Sequence, residues 1–521
     1  MAKPFTLTTA ISYPNGRPHI GHAYEAIASD AFARFQRMMG RDVFFQTGTD
    51  EHGLKMDQAA RAKGIEPRAL ADEMSSYFKQ MDDVLNISYD RFIRTSEPAH
   101  HSASQAIWQA MEANGDLYLG RYEGWYSVRD EAFYDEKELI DGEGGAKLSP
   151  QGTPVEWTVE ESWFFRLSKY QQPLLDLYAA QPDFIRPDSR RNEIMRFVEG
   201  GLSDLSISRT SFDWGVKVPG SDGHVMYVWV DALTNYITGC GYPDDPERMA
   251  HYWAEGGDIV HIIGKDIVRF HTVYWPAFLM SAKLPLPKQV FGHGFLLNRG
   301  EKMSKSVGNV ADPLELAERF GVDQLRYFLL SEVTFGNDGS YSAEAIVGRA
   351  NSDLANSFGN LAQRTLSFIA KNLDGALPHG GTAGASDAQL LDLVKAAAAD
   401  FASAMNDLAP SQAIEAWMKA VFACNAYIDA QAPWALRKTD PERMTAVLGT
   451  LYEAIGDLAI IVQPIIPNSA NALLDQMGVP ADARTHEAIG ADWYTALCAT
   501  GFVLSPPKPL FPRLELAEAD A

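Results

Sequence analysis

The order of the first predicted elements is the strongest constraint on how this chain can fold. Apolar runs at residues 5–11 and 43–47 each end in turn-forming residues, and Ile27, Phe32 and Phe35 recur between them at helical spacing. Strand, helix and strand in succession predict a parallel sheet with helices on its faces. Ligands of such sheets bind beyond the carboxyl ends of the strands, so we expect the functional residues there.

The segment after the first apolar run, YPNGRPHIGH at residues 13–22, is suited to binding a phosphate. A strand that turns through glycine into a helix presents free backbone N–H groups to an anion. His19 and His22 are three residues apart, so both imidazoles lie on one face of the first helical turn and can donate to phosphate oxygens. Gly21 leaves room for a flat ring to approach the backbone.

A second polar segment, KMSKS at residues 302–306, follows the apolar run 290–297. Lys302 and Lys305 are also three residues apart, on a loop with serine and glycine neighbours. Two ammonium groups on such a loop can close over a triphosphate and neutralise its charge.

Each segment has a simpler alternative. His19 and His22 could bind a metal ion, with His52 as a third ligand. The loop with Lys302 and Lys305 could be an ordinary solvated turn. The apolar strand before each segment favours the nucleotide-binding interpretation.

Together and in this order, the two segments resemble the HIGH and KMSKS motifs of the class I aminoacyl-tRNA synthetases. The resemblance implies an enzyme that forms an aminoacyl-adenylate from ATP with Mg²⁺. It implies that four side chains stabilise the transition state, namely His19, His22, Lys302 and Lys305. The residues implied to contact ATP are Tyr13, Asn15, Gly21, Gly264, Asp266 and Lys305.

The segment YVWVDALTNY at residues 227–236 resembles the amino-acid pocket of the methionyl-tRNA synthetase family. By this resemblance Asp50 holds the substrate ammonium, and apolar and aromatic groups surround a thioether. The residues implied to line the pocket are Ala10, Ile11, Tyr13, Asp50, Trp229, Ala232, Leu233, Tyr236, Ile267 and His271. For Trp229 and Tyr236, ordinary aromatic core remains an alternative.

The resemblance covers nearly the whole chain and implies an α/β fold. A Rossmann-like, doubly wound parallel sheet with an inserted connective subdomain would precede an all-α helical bundle that binds the anticodon. We place the first half of the sheet domain at 1–118, the insertion at 119–205, the second half at 206–300, a KMSKS-loop and stem-contact region at 301–345, and the bundle at 346–521. Many relatives hold a zinc in the insertion through cysteines. It has none here, so we expect no structural zinc.

The predicted bundle rests on apolar residues that recur by threes and fours, such as Leu390, Val394 and Phe401. The resemblance implies that Asn360, Arg364 and Trp434 bind the CAU anticodon of tRNA(Met), including the initiator, by hydrogen bonding and stacking. A helix cap for Asn360 and core packing for Trp434 remain alternatives. We expect a monomer.

The formal charge of −23, from 45 Lys and Arg against 68 Asp and Glu, is unfavourable for nucleic-acid binding. A tRNA partner therefore requires a local basic face. One candidate combines the loop of Lys302 and Lys305 with five arginines: Arg186, Arg190, Arg191, Arg196 and Arg209. A solvated helix face remains an alternative for the arginines. The three cysteines are far apart, and the chain shows no leader segment and no long uncharged apolar run. We expect a cytoplasmic protein without a membrane partner.

The predicted reaction is activation of methionine to its adenylate, with release of pyrophosphate, and transfer to the 3′ adenosine of tRNA. One alternative is another class I synthetase. The missing zinc ligands count against the cysteine enzyme, and the missing large editing insertion counts against the valine enzyme. A smaller nucleotidyltransferase would lack the helical region. A non-catalytic tRNA-binding paralogue is the alternative from a different functional class.

Overall fold

The computed structural model describes residues 2–130, 132–142, 145–298, 301–302, 311–490 and 492–516. Its strands are, in chain order, β1 Pro4–Thr9, β2 Asp42–Thr49, β3 Arg91–Arg94, β4 Leu117–Ser127, β5 Ala132–Tyr134, β6 Ile140–Asp141, β7 Lys147–Leu148, β8 Glu156–Phe165, β9 Ile185–Arg186, β10 Leu205–Ser206, β11 Ser208–Arg209, β12 Val225–Met226, β13 Asp258–Gly264, β14 Gln289–His293, β15 Leu296–Asn298, β16 Glu301–Lys302 and β17 Gly339–Tyr341.

The α-helices are α1 Ile20–Met38, α2 Leu54–Lys63, α3 Pro67–Val84, α4 Pro98–Ala113, α5 Gln171–Ala180, α6 Asp188–Glu199, α7 Val228–Gly239, α8 Pro246–Tyr252, α9 Trp275–Ala282, α10 Pro313–Phe320, α11 Val322–Glu332, α12 Ala343–Arg349, α13 Asn360–Asn372, α14 Ala385–Asn406, α15 Pro410–Gln431, α16 Pro433–Thr439, α17 Pro441–Val462, α18 Pro467–Gln476 and α19 Trp493–Ala499. Two further segments are π-helical, Phe270–Tyr274 and Ala350–Gly359.

A parallel sheet of six strands forms the centre of the first part of the chain, in the order β3-β2-β1-β13-β14-β9. Its central strands are almost continuously buried, because helices cover both faces. The chain builds outward from β1 through β2 and β3 and then returns to the other side of β1 with β13. This reversal opens a crevice at the carboxyl ends of β1 and β13, where ligands of such sheets bind.

The stretch predicted as an insertion forms an antiparallel sheet in the order β10-β8-β4-β5. β4 and β8 pair from Leu117 opposite Phe165 to Tyr126 opposite Glu156. One strand of this stretch, β9, instead joins the edge of the parallel sheet beside β14. Phe165 and Leu117 share a hydrophobic core with α4, α7 and α9, so these helices connect the antiparallel sheet to the parallel one.

The predicted helical periodicity is present in α14, α15 and α17, whose apolar residues are buried against one another. The same hydrophobic core continues from the bundle to α1, where Phe35 meets Phe401 edge-on at 6.3 Å. The predicted fold class is therefore confirmed, while the exact domain boundaries stay a prediction. Among the described helices, α17 has the length and composition to cross a membrane, and 83% of its apolar window is buried inside the protein.

Candidate active site

A cavity of about 410 Å³ opens at the carboxyl ends of β1, β2 and β13. It contains all the residues predicted for the methionine pocket: Ala10, Ile11, Tyr13, Asp50, Trp229, Ala232, Leu233, Tyr236, Ile267 and His271. His22, Gly264 and Asp266 line it as well. Residues more than 200 positions apart in sequence therefore meet where the sheet topology predicts a ligand.

His19 and His22 form the N-terminal cap of α1. The Nδ1 atom of His19 accepts from the backbone N–H of Gly21 at 3.1 Å, and Nδ1 of His22 accepts from the N–H of His19 at 3.1 Å. Because both Nδ1 atoms accept, a neutral imidazole carries its proton on Nε2, where it can be donated to a ligand. The ring centroids are 3.9 Å apart.

The first motif is only partly inside the cavity. A Cβ at Gly21 would lie 2.9 Å from the His19 ring, so glycine leaves room for the His19 side chain in this cap. The predicted approach of a ligand ring to Gly21 stays a prediction. Asn15 lines a neighbouring cavity with Arg17 and Tyr77. The structure therefore places His22 at the main cavity, with His19 and Gly21 just behind it and Asn15 to one side.

One wall of the predicted methionine pocket is built by α7 and the π-helical segment Phe270–Tyr274. Trp229 stacks on Phe270 with ring centroids 3.9 Å apart and an interplanar angle of 8°. His271 Nδ1 lies 2.9 Å from the Ile267 carbonyl, and its Nε2 lies 2.6 Å from the Tyr236 hydroxyl. His271 thus donates to the carbonyl and accepts from Tyr236. Burial lowers the pKa of His271 to about 4, so this wall is neutral.

The turn with two of the predicted ATP contacts, Gly264 and Asp266, follows β13 directly. β13 ends at Gly264, and Asp266 reaches the cavity from the next turn. A Cβ at Gly264 would lie 2.7 Å from Oδ1 of Asp266. Glycine therefore allows the Asp266 carboxylate to fold back over the end of the strand.

Sequence reasoning missed Glu25, which lines the cavity one helical turn after His22. Its Oε2 lies 2.8 Å from Nε2 of the buried His293, at the end of β14. Burial raises the pKa of the Glu25 carboxyl, although His293 opposes this rise. Its spacing from His22 could have identified Glu25 as a site residue, because residues three positions apart share one face of a helix.

The antiparallel sheet also reaches the cavity, through Arg129, Asp130 and Gln151. Asp130 accepts from the hydroxyls of Ser149 at 2.6 Å and Thr153 at 2.5 Å. No local sequence pattern predicts these residues, because they reach the site only through the packing of the antiparallel sheet beside the parallel sheet. The remaining lining residues are Ser12, Lys55, Val228, Asn235 and Phe270.

The lysines of the second motif stay predictions. Lys302 is placed by its backbone, in β16 beside β15, with Leu297 as its partner in the pairing. Lys305 lies outside the described residues.

The metal alternative for the first motif does not fit the geometry. His52 is buried, and its Nδ1 lies 2.6 Å from Oδ2 of Asp231 rather than beside His19 and His22. Within the described ranges, no group of three His, Cys, Asp or Glu residues could hold a metal ion.

The predicted anticodon residues are close to one another in the helical bundle. Arg364 binds Asp429 at 2.8 Å, and its guanidinium carbon lies 5.6 Å from the ring centre of Trp434. Asn360 lies one turn before Arg364, at the exposed start of α13. Trp434 is 47% exposed, so its ring is not core.

The basic face predicted from five arginines is wrong in part. Arg209 is only 3% exposed and donates to the carbonyl of Ser208 at 2.6 Å. Arg186 and Arg190 are paired with Asp183 and Glu193, each at 2.8 Å or less. Nearby carboxylates therefore offset the charges of Arg186 and Arg190, and burial removes Arg209 from the surface.

Comparison with known families agrees with this geometry along the whole chain. Residues 5–366 match the model for class I tRNA synthetases (M), and residues 377–521 match the anticodon binding domain of methionyl tRNA ligase. The chain belongs to the methionyl-tRNA synthetase family. The predicted family and the predicted class of enzyme, an aminoacyl-tRNA ligase, are confirmed.

Individual members of the methionyl-tRNA synthetase family show how complete the similarity is. The methionine–tRNA ligase of Brucella suis is 60% identical over 516 residues, which cover 99% of this chain and 98% of that protein. The Mycobacterium tuberculosis methionyl-tRNA synthetase in complex with methionyl-adenylate is 53% identical, with a TM-score of 0.92, over 98% of this chain and 100% of that one. For its apo form the TM-score is 0.87 at 49% identity, over 99% of each chain.

Proposed function

We infer that this chain joins methionine to tRNA in two steps. The methionine carboxylate attacks the α-phosphate of ATP to give methionyl-adenylate and pyrophosphate, and the methionyl group then passes to the 3′ adenosine of tRNA(Met). The observation that carries this proposal is the cavity at the reversal point of the sheet, which contains all ten residues expected for a methionine pocket. No protein nucleophile is needed, because the substrate carboxylate is the attacking group.

For methionine, we assign the ammonium to the buried carboxylate of Asp50. An ionised carboxylate binds an ammonium more strongly than a neutral acceptor does and rejects ligands without an amine. The neutral wall of Trp229, Tyr236 and His271 would surround the thioether, which favours apolar and aromatic contact.

For ATP, we assign a ribose hydroxyl to Asp266 and the phosphates to the N-terminus of α1. The Nε2 protons of His19 and His22 would stabilise charge on the phosphates as pyrophosphate departs. Lys302 and Lys305 complete the proposed phosphate clamp. Mg²⁺ would enter with the triphosphate, as part of the substrate.

For tRNA, we assign the CAU anticodon to Asn360, Arg364 and Trp434. An exposed indole offers a stacking surface to a splayed base, and the nearby guanidinium adds a charged donor. We further propose a monomeric, cytoplasmic protein without a structural zinc. Its cysteines, Cys240, Cys424 and Cys498, are unpaired with one another.

The decisive test is ATP–pyrophosphate exchange by the purified chain, with each amino acid added separately and without tRNA. Exchange with methionine alone would support the reaction and the pocket. Exchange with another amino acid would overturn the pocket assignment. No exchange in a folded protein would favour the non-catalytic tRNA-binding alternative. Lys305→Ala should slow exchange severely if the lysine loop clamps the phosphates.

Trp434→Ala tests the anticodon assignment. We expect tRNA charging to weaken by about 5- to 150-fold, since loss of one stacked base contact is worth roughly 1–3 kcal/mol. Methionine-dependent exchange should be unchanged. Phe422→Ala is the matched control, because Phe422 is an equally exposed aromatic, at 55%, on the neighbouring helix α15. Equal loss of exchange and charging in Trp434→Ala would place this residue in the fold rather than in recognition.

A further inference from the structure

A buried carboxylate behind the cavity joins three separate elements. Asp231 lies on α7, two residues after Trp229, and is fully buried. Its Oδ2 is 2.6 Å from Nδ1 of His52, in the turn after β2, and its Oδ1 is 2.7 Å from Nε2 of His100, on α4. Asp231 is not among the residues that line the cavity.

Further contacts hold the His100 ring in place. Its Nδ1 lies 3.1 Å from the Thr238 hydroxyl, which donates to the Thr234 carbonyl at 3.0 Å. Its Nε2 also lies 3.2 Å from the Ser104 hydroxyl. Burial alone would raise the pKa of Asp231, but His52 and His100 hold it well below its usual range. Asp231 is therefore a buried, ionised and paired carboxylate.

The turn held by Asp231 is the one that carries Asp50. His52 is two residues beyond Asp50, and Glu51 between them binds Arg94 at 2.7 Å. The Glu51 backbone N–H donates to the Thr95 hydroxyl at 2.8 Å, and its carbonyl accepts from the Trp214 indole at 2.5 Å. On the α7 side of the turn, the contact of His52 with Asp231 fixes this backbone relative to the methionine-pocket wall.

We propose that Asp231 is a positioning residue for methionine recognition, which acts through His52 to hold Asp50 at a fixed distance from Trp229 and Leu233. This inference rests on the proposed role of Asp50 as the ammonium ligand. A charged group that binds substrate must be held to within about 0.5 Å by its supporting contacts. Asp231 supplies this support, and it links the ammonium ligand to the wall around the thioether.

The first test is Asp231→Asn in the full chain, which preserves size but removes the charge. Methionine-dependent ATP–pyrophosphate exchange should show a KM for methionine raised by about 10-fold, with the KM for ATP within about 2-fold of wild type. Asp457→Asn is the matched control, since Asp457 is a buried carboxylate in the helical bundle that accepts two N–H groups. It should leave both KM values unchanged. An equal rise in both KM values for Asp231→Asn would overturn the proposal.

Two further measurements separate positioning from general damage. Inhibition by 4-(methylthio)butanoate, which lacks the amine, should be unaffected by Asp231→Asn, and the variant Asp50→Asn/Asp231→Asn should be no worse than Asp50→Asn alone. Additive losses in the double variant would overturn the proposal. If Asp50→Asn alone leaves the KM for methionine unchanged, the ammonium assignment itself fails.

A second route reaches the same contact if Asp231→Asn does not fold. His52→Ala should raise the KM for methionine, and His52→Asn, which keeps an N–H donor, should partly restore it. Equal effects of these two variants would mean that the hydrogen bond to Asp231 does not position Asp50.

Discussion

At the scale of single residues, the proposed methionine pocket has a wall that is both apolar and uncharged. The hydroxyl of Tyr236 is used internally, as the donor to Nε2 of His271, and burial keeps this imidazole neutral at physiological pH. A neutral wall favours a thioether over a charged side chain. Such a wall discriminates weakly by size, because one methylene or methyl group in an apolar pocket is worth only ~1–3 kcal/mol.

Tyr236→Phe should reveal this arrangement. Removing the hydroxyl leaves Nε2 of the buried His271 without its donor, at a cost of about 1–3 kcal/mol. We expect the KM for methionine to rise by about 10-fold and the KM for ATP to stay constant in exchange assays. Tyr452→Phe is the control, because the Tyr452 hydroxyl is also buried and bonded, to Met477 in the helical bundle. Equal KM values for Tyr236→Phe and wild type would contradict the assignment.

At the scale of elements, α17 shows how a helix with a regular apolar pattern can contain a buried charge. Asp457 accepts from the Gly490 backbone N–H at 3.0 Å and from the Trp493 indole at 2.9 Å, which attaches the segment before α19 to α17. Burial raises the pKa of Asp457 to about 6. Burial also raises the pKa of Glu453, one turn earlier in α17, to about 7.

These raised values predict that the protein loses stability as pH rises. The folded pKa of Asp457 lies above its ordinary value of 3.8, so the folded state binds the proton more tightly than the unfolded state. The associated stability is fully present below pH 3.8 and is lost as pH rises through about 6. Because of this group, we expect the free energy of unfolding to be about 1.5 kcal/mol lower at pH 8 than at pH 5.

Urea unfolding of the wild type and of Asp457→Asn at both pH values measures this effect. The fall in the free energy of unfolding should be smaller in the variant. An identical fall would show that Asp457 does not titrate in this range.

At the scale of the whole molecule, one arginine connects the sheet domain to the helical bundle. Arg326 is fully buried on α11 and pairs with Asp30 of α1 at 2.7 Å. Its guanidinium also donates to the carbonyls of Leu85, after α3, and of Pro464 and Ile465, after α17. The relative position of the cavity and the proposed anticodon site therefore depends in part on this side chain.

Arg326→Met should damage tRNA charging more than methionine activation. The substitution leaves the buried Asp30 with Arg34 as its remaining charged partner. Loss of one partner from a buried ion pair typically costs about 3–5 kcal/mol, a large part of the roughly 5–15 kcal/mol that stabilises a domain. We expect a lower Tm, and a larger loss in aminoacylation than in exchange. Arg34→Met is the control, because Arg34 also pairs with Asp30, at 2.7 Å, but donates its other hydrogen bonds to Asn86, after α3. An unchanged ratio of charging to exchange in Arg326→Met would contradict this role.

Much of the fold and the candidate site could be predicted because the relevant patterns are local. An apolar run followed by a glycine turn and an amphipathic helix identifies β1 and α1, and topology then requires the carboxyl ends of β1, β2 and β13 to meet. Periods of three and four residues similarly identify α14, α15 and α17. The pocket residues followed from the resemblance of the segment at 227–236, and the cavity brings those residues together.

What only the tertiary structure decided is how charged and polar side chains are paired. Glu25 with His293, and Asp231 with His52 and His100, join positions from 131 to 268 residues apart, and no local pattern specifies such partners. The same limit explains Arg209, which counts as basic surface in a sequence but is buried in the fold. Apolar periodicity reports which face of an element is buried, whereas the state of a buried charge depends on the group that packing brings against it.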